Sequence, residues 1–538
     1  MIDAATLEND RAGLRERWYR EGFYRRETLS QALQTAAAKH PRTRFCFHSE
    51  AGVVETTTAE ICAEAWLLAG ALYTFGVRAG DVLAIQLPSW RETAVLYVAA
   101  IHAGATILPV VHTYGPAELD FILRQSGAKW LVVPDRWRNV DYLERCARTK
   151  AAENLSGIIV VGESTPPRGV TWSDLRRLGT PEFPRPQQDP DALCVLLYTS
   201  GTTSDPKGVR HTHNTIRSEW EIPFLADSGP YLNPFPAGHI AGFNFMLRPM
   251  ICAVPVVFLE RWEPHAAAEL IERYRVTQTG GTPYFLLTLM EAGQSDGRDL
   301  SSIKSYSLGA TGVTNDHVRL TDKMGWSGGR SYGLTEHSTV TRTHPTMSFE
   351  QRANTDGKVQ PGTEIRIVDE NGFDLPAGEE GEILTRGPEL FVGYTDSALD
   401  LQAFLPGGWF RTGDIGRCDP EEYLTITDRK KDIIIRGGEN ISSREVEGAL
   451  ERHPAVAEAA AVAMPDPLLG EKVCAYVVIR SGLDFTFETM TNHCHSIGLA
   501  RHKTPERLIL VPELPRNPAG KIRKEQLRGS LRSAISGR

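Results

Sequence analysis

An apolar run that ends in a loop of small hydroxyl residues constrains the fold of this chain most. The segment DALCVLLY (191–198) has the length and character of a buried strand, and TSGTTSDPKG follows it directly. The ends of such strands are where α/β folds bind ligands. Glycines let backbone N–H groups approach an anion, hydroxyls add donors and Lys207 adds charge, so the loop predicts a phosphate site.

The order of residues in this loop differs from that of the common P-loop. A Walker loop reads GxxxxGK[ST] and continues into a helix, whereas Lys207 precedes Gly208 and no Ser or Thr follows the lysine. A P-loop kinase or GTPase is therefore not expected. Taken alone, the segment is also compatible with a polar turn between two strands.

Length and charge narrow the function classes. The chain has 538 residues, which is too long for one core and predicts about three or four folding units. Its 59 Lys and Arg are outnumbered by 67 Asp and Glu, giving a net charge of −8, so we expect no nucleic-acid partner.

Targeting and cysteine patterns point to a reducing, cytoplasmic setting. The first residues lack an apolar core of signal-peptide length, and no apolar run reaches the ~18 residues of a transmembrane segment. The eight cysteines include no CxxC pair, which predicts reduced, mostly buried thiols rather than zinc ligands or disulfides.

Patterning along the chain predicts an α/β fold of two domains. Residues 1–428 are expected to form a large N-terminal domain, with a layered α/β part followed from about Pro361 by a β-rich subdomain. Residues 429–538 are expected to form a small, mobile α+β C-terminal domain, in which Ser442 and Glu445 form a capping box. The Pro-rich stretch 164–193 is expected to be a surface connection.

Six short motifs occur in a fixed order: YTSGTTSDPKG at Tyr198–Gly208, PAGHIAG at Pro236–Gly242, YGLTE at Tyr332–Glu336, GWFRTGD at Gly408–Asp414, DRKKDIIIRGGENI at Asp428–Ile441 and NPAGKIRK at Asn517–Lys524. Together they resemble the adenylate-forming superfamily of acyl-CoA synthetases, peptide-synthetase adenylation domains and beetle luciferases. The resemblance covers nearly the whole chain. The amino-terminal WYREGFYRRETLSQAL is similar to the opening of cyclohexanecarboxylate-type ligases, and medium-chain acyl-CoA ligases are comparable relatives.

The resemblance implies ATP and Mg²⁺ as ligands. Tyr332 would stack on adenine, Thr335 would contact the α-phosphate, Glu336 would bind the metal, and Asp414 with Arg429 would hold the ribose. The remaining nucleotide contacts implied are Thr199, Ser200, Gly201, Thr202, Thr203, Lys207, Gly309 and Ala310.

Two positions depart from the superfamily pattern. Ser204 replaces a common glycine of the phosphate loop, and Arg330 replaces an amide that reads adenine in many relatives.

The carboxyl-terminal motifs imply a two-step reaction. Lys521 would stabilise the transition state of adenylation, in which a carboxylate attacks the α-phosphate. Lys431 would act as the hinge that removes Lys521 and prepares thiol attack. Gly437 and Gly438 would leave room for the pantetheine arm of coenzyme A.

Family position also implies an acyl pocket, with His239 as its gate and a catalytic contact. The expected wall is His239, Phe243, Thr282, Pro283, Tyr284, Leu308, Gly309, Ala310 and His337. This set is mainly apolar, so the expected substrate is a medium-sized apolar carboxylic acid: alicyclic, aromatic or medium-chain. His211 and His213 are expected to be structural, because their spacing lacks carboxylate partners for a metal.

The resulting hypothesis is an AMP-forming acid–CoA ligase. Two alternatives remain open: an enzyme that loads the thiol of a carrier protein, and a non-catalytic adenylate sensor. No carrier domain is visible in the chain, and Lys521, Glu336 and Asp414 argue against a sensor. A homodimer is a further expectation.

Overall fold

The computed structural model describes residues 2–199, 206–221, 229–309 and 312–536. The helices in these ranges are Ala4–Glu21, Leu29–Lys39, Thr58–Phe75, Arg91–Ala103, Pro116–Ser126, Tyr142–Ala147, Trp172–Arg177, His213–Glu221, Ile240–Cys252, Pro264–Tyr274, Pro283–Ser295, Asn315–Lys323, Phe349–Asn354, Asp400–Ala403, Ser443–Glu451, Phe487–Ser496 and Lys524–Ser536, with 3₁₀ turns at Lys150–Asn154 and Arg501–Lys503.

Two large, mostly parallel sheets form the layered part. The first has the strand order Lys358–Val359, Thr341–Arg342, Ser327–Tyr332, Ser305–Leu308, Gln278–Gly281, Tyr231–Asn233, Val256–Leu259, Arg44–Ser49, Gly52–Thr57. The second has the order Gly208–Thr212, Leu193–Tyr198, Thr106–Pro109, Val82–Ile85, Trp130–Pro134, Gly157–Val161, Gly169–Thr171. A small hairpin pairs Arg136–Trp137 with Val140–Asp141.

A helix that is apolar on every side lies in the main core. Arg91–Ala103 carries the sequence TAVLYVAAI and is buried from Thr93 onward. A helix without a polar face is stable in water only when packed on all sides. Its side chains share one apolar cluster with residues from both large sheets, such as Val195 and Phe258.

The β-rich part follows as a separate antiparallel sheet. Its strands are Glu364–Val368, Gly381–Arg386, Trp409–Cys418, Phe404–Leu405 and Leu424–Arg429. The amino-terminal helix packs on this subdomain, where Leu7 joins Phe391 and Phe410 in an apolar cluster.

The last sheet belongs to the small carboxyl-terminal unit. It has the order Glu439–Ile441, Ile434–Arg436, Gly470–Ile479, Val456–Asp466, and Arg507–Leu510 pairs with Gly470–Ile479. The α/β fold with a large amino-terminal and a smaller carboxyl-terminal unit is thus confirmed. The chain changes sheets between Arg429 and Ile434, while the boundary at 428 and 429 and the mobility of the unit remain predictions.

Two local predictions need correction. Ser442 caps the helix Ser443–Glu451 by accepting from the Glu445 N–H at 3.2 Å. The reciprocal half of the box is missing, because the Glu445 carboxylate pairs with Lys503 at 2.7 Å.

The stretch 164–193 also contains structure: Gly169–Thr171 extends the second sheet and leads into the helix Trp172–Arg177.

All eight cysteines are free, and six of them are buried. A search of the described ranges finds no helix with the length and apolarity needed to cross a membrane.

Candidate active site

One cleft of about 2260 Å³ runs between the large unit and the small unit. Its floor is formed where the strands Leu193–Tyr198, Gln278–Gly281 and Ser305–Leu308 end. The first strand belongs to the seven-stranded sheet and the other two to the nine-stranded sheet, so residues from both large sheets line the cleft. This convergence brings together motifs that are far apart in the chain.

The base of the predicted phosphate loop lies on the cleft wall. The Thr199 N–H donates to the Lys207 carbonyl at 3.0 Å, which closes the loop at its base. The Lys207 ammonium lies 5.2 Å from the centre of the Tyr394 ring. Ser200, Gly201, Thr202, Thr203 and Ser204, together with Ala310, lie outside the described residues.

Asp414 joins the proposed adenine and ribose contacts. Tyr332 donates from its hydroxyl to Asp414 Oδ2 at 2.7 Å, and Arg429 Nε lies 2.8 Å from Asp414 Oδ1. Asp414 and Arg429 are opposite each other on neighbouring strands, which explains why two distant motifs supply the pair. All three residues line the cleft, and Asp414 is only 3% exposed.

Glu336 and Thr335 lie on the loop after the strand Ser327–Tyr332. Tyr394, which no motif indicated, donates to Glu336 Oε1 at 2.8 Å. Burial raises the pKa of Glu336, while the Tyr394 hydroxyl and the charges of Lys207 and Arg429 act in the opposite direction. A carboxylate in this position would gain from a nearby cation.

His211 supports that same loop from behind. Its Nε2 lies 2.8 Å from the Thr335 carbonyl, and its Nδ1 lies 3.1 Å from the Thr215 hydroxyl. A carbonyl can only accept, so Nε2 carries the proton. Burial lowers the pKa of both His211 and His213 to about 4. The two contacts of His211 fit a structural role, which stays a prediction for both histidines.

Lys521 extends from the small unit into the cleft. The charge of Arg429 and burial lower the pKa of Lys521 to about 7, and the carboxylate of Asp414 opposes them. Lys521 lines the same cleft as Asp414 and Arg429. Its backbone N–H donates to Asn517 Oδ1 at 3.0 Å, which folds the NPAGK loop back on itself.

Arg516 attaches this loop to the large unit. Its Nη1 donates to the Gly520 carbonyl at 2.7 Å, and its guanidinium lies 4.7 Å from the centre of the Tyr284 ring. Gly520 has φ of +79°, and a Cβ there would lie 2.7 Å from Thr282 Oγ1. The lysine loop thus contacts the acyl side of the cleft directly.

Three of the expected acyl-wall residues line the cleft, namely His239, Tyr284 and Gly309. Burial and the charge of Lys521 lower the pKa of His239 to about 4. Its buried Nε2 has no hydrogen-bond partner among the described residues. His112, which the motifs did not indicate, also lines the cleft. Burial is the largest cause that lowers the pKa of His112, and the charge of His239 is the next.

The other described members of the expected wall do not line the cleft: Phe243, Thr282, Pro283, Leu308 and His337. Phe243 packs in the main core against Tyr97, with ring centres 5.3 Å apart. Thr282 caps the helix Pro283–Ser295. His337 lies between the hydroxyls of Thr363 and Thr385, at 3.4 and 3.0 Å.

Polar residues that the sequence did not predict line the deep end of the cleft: Glu219, Asn244, Arg248, Thr339 and Arg342. The helices His213–Glu221 and Ile240–Cys252 supply the first three, and the chain after YGLTE supplies the other two. No local pattern marks them, because they meet only when these helices pack over the sheet. The expectation of a mainly apolar wall therefore does not hold at this end.

The remaining motif residues have distinct positions. Lys431 lines the cleft beside the change of sheets, and burial together with Arg429 lowers its pKa. Gly437 and Gly438 form the turn of a hairpin with φ of +59° and +89° and do not line the cleft. Arg330 is buried and donates to Asn315 Oδ1 instead of facing the cleft.

Comparisons with known proteins assign the family. Residues 33–395 match the AMP-binding enzyme family, and residues 445–521 match the AMP-binding enzyme C-terminal domain. The medium-chain fatty-acid–CoA ligase of Escherichia coli is 34% identical over 88% of this chain and 84% of its own length. The 2-hydroxy-7-methoxy-5-methyl-1-naphthoate–CoA ligase of Streptomyces carzinostaticus is 32% identical over 96% and 95%.

The fold agrees with solved structures of related enzymes. ATP-bound MatB from Rhodopseudomonas palustris superposes with a TM-score of 0.82 at 26% identity and covers 94% of this chain and 100% of MatB. The six motifs, the cleft and the matched regions lead to one conclusion. The chain belongs to the AMP-binding enzyme family and is, as its motifs predicted, an acid–thiol ligase of the AMP-forming type.

Proposed function

We propose that this enzyme activates a carboxylic acid with ATP and transfers the acyl group to coenzyme A. The observation that carries the proposal is the position of Lys521, a residue of the small unit that lines the same cleft as the Asp414–Arg429 pair of the large unit. A protein that only sensed a nucleotide would not need a cation at that point.

In the first step, a substrate carboxylate oxygen attacks the α-phosphorus of ATP and pyrophosphate leaves. Asp414 accepts hydrogen bonds from the ribose hydroxyls, and Tyr332 holds Asp414 in place. Lys521 and Lys207 offset the negative charge that the two anions bring together.

The residues around Glu336 fit a magnesium ion. Glu336 and the Thr335 hydroxyl offer the oxygen ligands that Mg²⁺ prefers, and the buried carboxylate would be stabilised by a cation. Bound there, the ion would neutralise phosphate charge.

In the second step, the thiol of coenzyme A attacks the acyl carbonyl and AMP leaves. For this step Lys521 has to withdraw, and we propose rotation about Lys431 as the movement. The hairpin at Gly437 and Gly438 would then approach the cleft. Both glycines have positive φ, and the resulting tight turn without side chains would leave room for the pantetheine arm of coenzyme A.

The test is release of pyrophosphate and AMP across a panel of carboxylic acids, with and without coenzyme A, followed by mass detection of the thioester. We expect turnover that depends on both acid and coenzyme A. Pyrophosphate release without thioester would favour the carrier-protein alternative. Nucleotide binding without turnover of any acid would contradict the ligase.

Assembly and location are part of the same proposal. We expect a cytoplasmic enzyme that forms a homodimer. Light scattering of the purified protein measures its molar mass and so tests for the dimer.

A further inference from the structure

The deep end of the acyl cleft contains an arginine that faces open space. The Arg342 side chain is 30% exposed, and it lines the cleft rather than the outer surface. Its ion-pair partner within the described ranges is Glu219, whose Oε1 lies 3.9 Å from Nη2. That distance is too long for a hydrogen bond, so the five N–H donors of the guanidinium remain available to a ligand.

Arg342 continues a row of polar side chains on one face of the nine-stranded sheet. The hydroxyls of Ser307 and Ser331 are 3.2 Å apart on neighbouring strands, and Ser331 is opposite Arg342 on the next pair. All three line the cleft. This row begins beside Gly309, on the acyl wall, because a Cβ at Gly309 would lie 3.1 Å from Ser331 Oγ.

The strands that carry Ser307 and Arg342 are two inter-strand spacings apart, which corresponds to a distance of about 10 Å. That span is comparable to the length of a medium-sized acid, and Lys521 and Arg342 line the same cleft.

The acidic neighbours of Arg342 do not cancel its charge toward the cleft. Glu219 accepts from the Thr339 hydroxyl at 3.0 Å and lies 3.5 Å from Arg248 Nη1, so its carboxylate is already held. Burial and the adjacent Glu219 raise the pKa of Glu389 well above its ordinary value, which favours the uncharged form of this side chain.

We infer that the substrate carries a second oxyanion at the end remote from the activated carboxylate, and that Arg342 binds it. A guanidinium pairs with a carboxylate or sulfonate through two parallel hydrogen bonds, which suits a partner in a desolvated cleft. The substrate class is then a medium-length dicarboxylic or sulfonated acid rather than an apolar monocarboxylic acid. This inference rests on the proposed ligase function.

The experiment compares matched pairs of acids: adipate with hexanoate, suberate with octanoate, and terephthalate with 4-methylbenzoate. For each pair, kcat/KM is measured for the wild type, Arg342→Gln and Arg342→Lys. Arg319→Gln is the control, because that arginine lies on an exposed helix and pairs with Asp316. ATP titration and thermal unfolding establish that each variant binds nucleotide and folds.

We expect the wild type to prefer the diacid of at least one pair by tenfold or more. The preference should disappear in Arg342→Gln, return in part in Arg342→Lys and persist in Arg319→Gln. Equal or better use of the monoacids, unchanged in Arg342→Gln, would overturn the inference and leave the ligase intact. Binding of ATP without turnover of any of the six acids would count against the ligase function, and the inference would fail with it.

Discussion

The two ends of the cleft are built in different ways. At the nucleotide end, Tyr332, Asp414 and Arg429 come from short motifs and lie in strands, and a hydrogen bond and an ion pair join them. At the acyl end, Glu219, Asn244, Arg248 and Arg342 come from two helices and a strand, and all four residues lie outside the six motifs. The motif residues of the cleft are therefore local in sequence, whereas the residues at the proposed acyl end are not.

This difference explains which of the residues predicted from the sequence line the cleft. The expected nucleotide contacts lie in strands or in the loops that directly follow them, so their position follows from the local pattern. The acyl wall depends on which face of a helix turns inward: Phe243 points into the core, while Asn244 and Phe245, its neighbours on the same helix, line the cleft. One residue along a helix changes direction by about 100°.

The strongest test of the nucleotide end is Lys521→Ala. Because it removes the cation that would offset charge in the transition state, we expect acid-dependent pyrophosphate release to fall about 10²- to 10³-fold. Thioester formation from a synthetic acyl-adenylate should be nearly unchanged. Lys503→Ala, a lysine of the small unit paired with Glu445, is the control. Equal losses in both half-reactions would show that Lys521 acts on folding or docking instead.

Asp414→Asn should have the next largest effect. The substitution removes the negative charge that pairs with Arg429 and would accept from the ribose, interactions of about 1.5–3 kcal/mol. We expect the KM for ATP to rise roughly 10- to 100-fold, with a smaller change in the KM for the acid. Asp374→Asn is a matched control, because that exposed carboxylate also pairs with an arginine, Arg366, at 2.6 Å. An unchanged KM for ATP would remove Asp414 from the ribose site.

A glycine pair tests whether docking of the small unit links the two ends. Gly520 and Gly498 both have φ of +79°, but a Cβ at Gly520 would lie 2.7 Å from Thr282 Oγ1, whereas a Cβ at Gly498 meets open space. Both alanine variants carry the cost of left-handed backbone, while only Gly520→Ala adds overpacking of about 1–3 kcal/mol at the interface. Adenylation should fall roughly tenfold in Gly520→Ala relative to Gly498→Ala, measured by pyrophosphate release. Similar rates in the two variants would exclude this docking contact from catalysis.

The smallest expected effect is a shift in pH dependence. The positive charge of Arg429 is the largest cause that lowers the Lys521 pKa to about 7. If the charged form is required, kcat/KM for adenylation should decrease as the pH rises through that value. In Arg429→Gln the decline of kcat/KM should occur about one pH unit higher, because a positive charge near Lys521 is removed. A decline that stays in place, or that persists in Lys521→Ala, would assign it to another group.

Part of the site could be predicted from sequence for a physical reason. The motif YGLTE follows a strand, and Asp414 and Arg429 lie in strands that pair in register, so their proximity depends on local backbone geometry. The support of Thr335 by His211 and of Glu336 by Tyr394 was not predicted in that detail. Those contacts join residues more than 50 positions apart, which no short pattern records.

By itself, the sequence determined the family, the AMP-forming ligase activity that this family implies, and the alternation of helices and strands that produces the sheets. Only the tertiary structure decided which side chains line the cleft, and it placed Arg342 and Glu219 there while it buried Phe243 and His337. The reason is that hydrogen-bonded loops are specified by neighbouring residues, whereas the wall of a pocket depends on how separate helices pack over a sheet.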